Sequence, residues 1–155
     1  MQKRVLTLWI RLFINQRRVS TDQEVVKGDE LRKLMLIMHR KILVETLISG
    51  LRDYNEFEFI AEYDYNEAQT AVCVNQPEII LLEIPESGAV TSKDCLTFCD
   101  AVKEKNRSCK IMLLCPERNA DACICTEQAL HDKRIDDFVY YDTSMRYLVS
   151  KLRAL

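Results

Sequence analysis

The sequence predicts an α/β domain built on a five-stranded parallel sheet with helices on both faces. Three observations carry that expectation. The runs at residues 79–84 (IILLEI) and 110–115 (KIMLLC) are continuous in their apolar residues rather than alternating, the pattern of strands covered on both sides. Strand-like and helix-like segments alternate five times from residue 33 to the end. No hairpin signal joins one strand to the next, so the connections must be right-handed crossovers between parallel strands.

Taken in order, residues 3–18 (KRVLTLWIRLFINQRR) read as a helix with a narrow polar stripe. Arg4, Thr7, Arg11, Asn15 and Arg18 recur at three- and four-residue steps, away from Val5, Leu8, Trp9, Leu12 and Phe13. Its apolar stretches are too short to span a bilayer, and no small-residue cleavage pattern follows. A basic amphipathic helix suits an acidic membrane surface or a partner. Packing on the chain's own domain, or an upstream extension, is preferred to membrane contact. Residues 19–32 are polar, contain Gly28 and read as a linker, giving an extension over 1–32 and a domain over 33–155.

Within the domain, strands are expected at residues 34–38, 57–61, 79–84, 110–115 and 137–141. Helices are expected at 41–54, 67–75, 92–105, 120–132 and 144–155. Leu43, Leu47 and Leu51 mark the buried side of the first of these helices. Cys95, Cys99 and Val102 do so for the third, and Met145, Leu148, Val149, Leu152 and Leu155 make one stripe on the last. The two alternating strands belong at the edges and the continuous ones inside, which agrees with the flavodoxin-like order 2-1-3-4-5. The stretch Pro77–Gly88 is the centre of this plan. Its apolar run ends at Glu83, before Pro85 and Gly88 turn the chain, so one carboxylate sits at the carboxyl end of a central strand. Open α/β sheets place their functional groups there.

Composition narrows the chemistry. The chain of 155 residues is 48% apolar and 30% charged with net charge −2, a balance that points away from nucleic acid. Only three glycines are present, at 28, 50 and 88, so neither a G-x-G-x-x-G turn nor a P-loop can be built. Seven cysteines (73, 95, 99, 109, 115, 123 and 125) include no C-x-x-C pair, and the only histidines are His39 and His131. No zinc spacing results, and a reducing cytoplasm is the expected compartment. Cys123-x-Cys125 places two thiols on different sides of a helix. Cys115 reads as inert packing, with a redox-sensitive thiol as the second reading.

Residues 33–155 resemble a response-regulator receiver domain. Lys33–Ile37 with Ile42–Leu47 is similar to the family's first strand and helix, and Pro77–Gly88 to its phosphoacceptor strand and turn. Lys110–Pro116 resembles the fourth strand and Asp136–Tyr141 the fifth. The resemblance implies a phosphoaccepting aspartate, Mg²⁺ held by a second acidic pair, and a lysine that meets the phosphate. Here the phosphoacceptor position is Glu83, and the acidic pair is replaced by Met38 and His39. The hydroxyl residue ending the fourth strand is Cys115 and the lysine ending the fifth is Tyr141. The aromatic switch position is kept as Phe138.

Mg²⁺ requires hard oxygen ligands in near-octahedral array. Glu83 beside a thioether and an imidazole is a poor site for it, so no metal or other cofactor is expected. A phosphoryl group carries close to two negative charges, and its transfer depends on offsetting them. The expectation is a non-catalytic pseudo-receiver acting through a protein partner or homodimer. The surface would be the fourth helix, fifth strand and last helix, with Tyr140, Arg146 and Tyr147 upon it. A phosphorelay regulator still modified at Glu83 is the alternative, and a flavodoxin-like enzyme a remoter one. Glu83 itself has two readings, a fixed-charge stand-in for a phosphorylated aspartate or a solvated remnant. His39 could pair with it, or lie in solvent, the preferred reading.

Overall fold

The computed structural model describes residues 30–155. The amphipathic helix expected at residues 3–18, and the linker as far as residue 29, lie outside the described residues. The elements run β1 (Arg32–Ile37), α1 (Lys41–Arg52), β2 (Phe57–Glu62), α2 (Ala68–Asn75) and β3 (Ile79–Glu83). They continue with α3 (Ser92–Lys105), β4 (Lys110–Cys115), α4 (Ala120–His131), β5 (Asp137–Tyr140) and α5 (Met145–Ala154). Every ladder is parallel and the strand order is β2-β1-β3-β4-β5. The fold is therefore the one that the alternation of segments predicts.

Side chains on a strand alternate between faces, so each continuous apolar run divides into two sets. Met35, Ile37, Ile80, Leu82, Ile111 and Leu113 lie on one face, under α2, α3 and α4. Leu34, Leu36, Ile79, Leu81, Met112 and Leu114 lie on the other, under α1 and α5. All twelve are at most 5% exposed, which is why these strands show no alternation in sequence. Each such side chain contributes about 1.5–3 kcal/mol relative to exposure. β2 and β5, with one neighbour each, keep the mixed burial of edge strands.

Helix starts follow local chemistry. Thr91 and Asp94 form a reciprocal capping box on α3, with Asp94 accepting from the Thr91 N–H at 2.8 Å. Asn119 caps α4 and Ser144 caps α5 through their side-chain oxygens. α1 differs. Its N-cap is Arg40, which makes no capping bond, although an Asn, Asp, Ser or Thr there is usually worth about 1 kcal/mol. After β3, Gly88 takes φ +112°, a conformation costly for other residues.

Several boundaries shift by a residue or two. β1 starts at Arg32, whose guanidinium donates to the Leu152 carbonyl at 3.2 Å. α1 stops at Arg52, before the expected Tyr54. The β4–β5 ladder ends at Cys115 and Tyr140, leaving Tyr141 in the turn beyond the strand. That last difference matters for the site.

At the opposite end of the sheet, Asp136 joins three elements. Its Oδ2 accepts from Lys103 Nζ at 2.5 Å and from the Ile111 N–H at 2.8 Å, and Lys110 Nζ lies 3.4 Å from Oδ1. Burial alone would raise its pKa. The Lys103 and Ile111 hydrogen bonds and the two ammonium charges together outweigh burial and hold the carboxyl below its ordinary value. The folded state thus binds this proton less readily than the unfolded chain. The resulting stabilisation is complete above the unfolded value of about 3.9 and is lost as pH falls through the lower folded value. Urea midpoints measured between neutral pH and that acid range should fall less steeply for Asp136→Asn than for the parent, from a lower starting stability. Parallel curves would show that Asp136 contributes nothing to the acid sensitivity.

Candidate functional site

The carboxyl end of β3 carries Glu83, and it is not a solvated remnant. It is 1% exposed, so the solvated reading is corrected. A carboxylate removed from water needs partners, and two neighbouring loops supply them. From the β1–α1 connection, Arg40 donates to Glu83 Oε1 through Nε at 2.8 Å, and its Nη2 lies 2.6 Å from the same oxygen. From the β5–α5 connection, the Tyr141 hydroxyl lies 3.1 Å from Oε1 and 2.5 Å from the Ile84 carbonyl. The Arg40 guanidinium also stands 4.8 Å from the centre of the Tyr141 ring, close enough for a cation–π attraction. Glu83 Oε2 is buried without a hydrogen-bond partner. One carboxylate oxygen thus holds every side-chain contact.

The strand end is held by a second tyrosine. Tyr65, between β2 and α2, donates to the Glu83 carbonyl at 2.5 Å. Burial first, and then the negative charge of Glu83, push both the Tyr65 and Tyr141 phenols far above their ordinary value. Both hydroxyls therefore remain protonated donors throughout the physiological range. His39 does not pair with Glu83. It is exposed, its Nδ1 is 3.2 Å from the Tyr63 carbonyl, and its ring rests against Tyr65 at 4.3 Å. The ion pair that the sequence reading considered for His39 belongs to the next residue, Arg40.

The remaining candidates divide by sheet face. Met38 is fully buried in the core under α1 and α5, against which Tyr141 also packs. Cys115 and Phe138 belong to the core on the other face. Phe138 meets Tyr140 edge to face at 5.4 Å. Cys115 is buried, with its sulfur 3.9 Å from that of Cys123. Tyr140 is half-buried, whereas Arg146 and Tyr147 are exposed on α5, and the Lys151 ammonium lies over the Tyr147 ring at 5.7 Å. Of the three switch-equivalent residues, Tyr141 is the one whose side chain hydrogen-bonds Glu83.

The residues present do not fit Mg²⁺. Glu83 is the carboxylate at this position, its Oε1 is taken by Arg40 and Tyr141, and a fixed guanidinium stands 2.6 Å from it. Among the described residues no group of three or more His, Cys, Asp or Glu is placed to hold a metal ion. Sequence reasoning missed Arg40, and a signal was available. A basic residue stands at a helix N-cap where a short acceptor side chain is usual, so its side chain has work elsewhere.

Removing one partner of a fully buried ion pair costs about 3–5 kcal/mol. Almost half of the Arg40 side chain is exposed, so solvent recovers part of that cost. Arg40→Met should lose about 1–3 kcal/mol in urea unfolding, and Arg40→Met/Glu83→Leu should regain most of it, because the second change removes the stranded charge. A double variant no more stable than the single one would show that the pair is energetically idle.

No family model and no curated protein matches this sequence. Solved structures match its shape. The chemotaxis protein CheY4 of Vibrio cholerae is similar with a TM-score of 0.65 at 13% identity, over 81% of this chain and 98% of that one. A CheY-like response regulator receiver domain protein of Methanospirillum hungatei JF-1 is similar with a TM-score of 0.65 at 10% identity, over 81% and 93%. A response regulator from Thermotoga maritima is similar with a TM-score of 0.65 at 15% identity, over 81% and 97%. Identities this low speak for the fold, and the described residues have the fold of response-regulator receiver domains.

Proposed function

We propose that this chain is a signalling pseudo-receiver that works by protein contact without passing through a phosphorylated state. The observation that carries the reading is the Arg40 guanidinium bonded to Oε1 of a Glu83 that is 1% exposed. A phosphoryl donor must bring its phosphorus in line with an attacking carboxylate oxygen, with cations arranged to offset the gathering charge. Here one oxygen is held by Arg40 and Tyr141 and the other is buried. The negative charge of Glu83 is already matched by an internal cation, so the site needs neither metal nor phosphate to be electrostatically complete. The neighbours named as response regulators and as a chemotaxis protein support a signalling role over an enzymatic one.

The contact surface in this reading is α4, β5 and α5, with Tyr140, Arg146 and Tyr147 upon it and a protein partner or second copy as its occupant. Ile124, 65% exposed on α4, adds an apolar side chain to that helix. No helix among the described residues is long and apolar enough to cross a membrane. A cytoplasmic location, with no nucleic acid bound by these residues, completes the proposal.

Incubation of the full chain with a small acyl-phosphate donor and Mg²⁺, followed by intact-mass measurement, is the test. The expected spectrum is unchanged. A phosphoryl adduct that disappears in Glu83→Ala would instead establish a working phosphorelay component with glutamate as its acceptor.

A further inference from the structure

Away from Glu83, at the carboxyl end of β4, two thiols converge across a short loop. Cys115 is the last residue of β4 and Cys123 lies in the first turn of α4. Their sulfurs are 3.9 Å apart, with residues 116–122 between them. The Pro116 carbonyl is 4.0 Å from Cys115 Sγ and 3.7 Å from Cys123 Sγ. The placement is built from both sides. Asn119 fixes the helix start, its Oδ1 accepting from the Ala122 N–H at 3.0 Å and its carbonyl from the Cys123 N–H at 3.0 Å. Behind Cys115, the buried Thr126 directs its hydroxyl at the Cys115 sulfur from 3.7 Å. Thr126 and Glu83 are the two buried polar residues among those described.

The two thiols differ in environment. Cys115 is fully buried, and burial pushes its pKa up to about 11, so it is kept as a thiol and shielded from reagents. Cys123 is only half-buried. Cys95 and Cys99 are both buried within α3, and burial raises Cys95 to about 12 and Cys99 further. A reagent arriving from solvent meets Cys123 with a second sulfur already behind it. A disulfide needs about 2.05 Å between sulfurs, so the pair must close by roughly 1.9 Å, the scale of a side-chain adjustment at a helix start.

We propose that Cys115 and Cys123 form an oxidative modification site, with a hydroperoxide as its substrate class and an intrachain disulfide as its product. In the first step Cys123 sulfur takes the distal oxygen of the hydroperoxide. The O–O bond breaks, and the thiol proton leaves with the alcohol or water, giving a sulfenic acid. In the second step Cys115 sulfur attacks Cys123 sulfur. The S–O bond breaks, and hydroxide leaves with the Cys115 proton as water. Two thiols lose two electrons in all, and the hydroperoxide gains them. The bridge ties the end of β4 to the first turn of α4, beside Tyr140, the partner of Cys115 across the β4–β5 ladder. This site is independent of the charge pair at Glu83 and stands whether or not the phosphoryl test succeeds.

The experiment uses the reduced full chain with hydrogen peroxide as the probe, then alkylation of remaining thiols and non-reducing peptide mapping by mass spectrometry. The expected product is the Cys115–Cys123 linked peptide as the predominant bridge, reversed by dithiothreitol. The bridge should survive in Cys73→Ser and Cys125→Ser and vanish in Cys123→Ser. In Cys115→Ala, a dimedone adduct should mark the unresolved sulfenic acid on Cys123. Cys123 accumulating as sulfinic acid while Cys115 remains free would overturn the proposal. So would pairing of Cys123 with Cys125 or with a second molecule. The map of the unsubstituted chain decides between these outcomes even if a variant fails to fold.

Discussion

A carboxylate held where water does not reach dictates the arrangement of the functional end of this domain. The sheet delivers Glu83 there because β3 is central and its preceding residues are buried on both faces. Once delivered, the charge must be answered locally. Arg40 and Tyr141 come from two different loops and meet at a single carboxylate oxygen. Tyr65 comes from a third and secures the backbone of the same residue. Three connections are thereby tied to one strand end.

The cost of that arrangement is visible at the start of α1. A residue placed to accept from the first N–H groups of the helix would have satisfied its terminus. Arg40 stands there instead, and a guanidinium, which only donates, cannot make a capping bond; its side chain reaches to Glu83. The charge pair and the helix start compete for one position. Burial of a carboxylate weighs more than one exposed N–H at a helix end, which water can satisfy. The same economy explains Tyr141. With the ladder closing at Tyr140, the next residue is free of the strand's alternation and can turn its hydroxyl to the carboxylate.

The two faces of the sheet keep separate kinds of chemistry. Under α1 and α5 the buried core combines aliphatic residues and Met38 with Phe57 and Phe59, and receives the Tyr141 ring. Under α2, α3 and α4 it contains Cys95, Cys99, Cys109 and Cys115 among its buried residues. Free cysteine packs as a small apolar residue, so this face loses little by using it. At Cys123 a second sulfur lies 3.9 Å from Cys115, and the proposed reactivity follows from that meeting. That meeting was hidden in sequence because Cys115 and Cys123 belong to a strand and a helix. Their distance depends on the intervening turn rather than on any motif spacing.

Sequence by itself determined the layers, the strand order and the position of Glu83. Those follow from periodicity and from runs of apolar residues, which are local properties of the chain and survive into the folded state because burial is their common cause. Tertiary structure alone decided that Glu83 is buried rather than solvated, that Arg40 and not His39 answers it, and that Tyr141 lies beyond its strand. Neighbouring residues such as His39 and Arg40 leave a loop in different directions, and a basic residue at a helix start hints at work elsewhere without naming the charge on another strand that it answers. That selection is made when the elements pack, by the free energy of leaving a carboxylate without a partner.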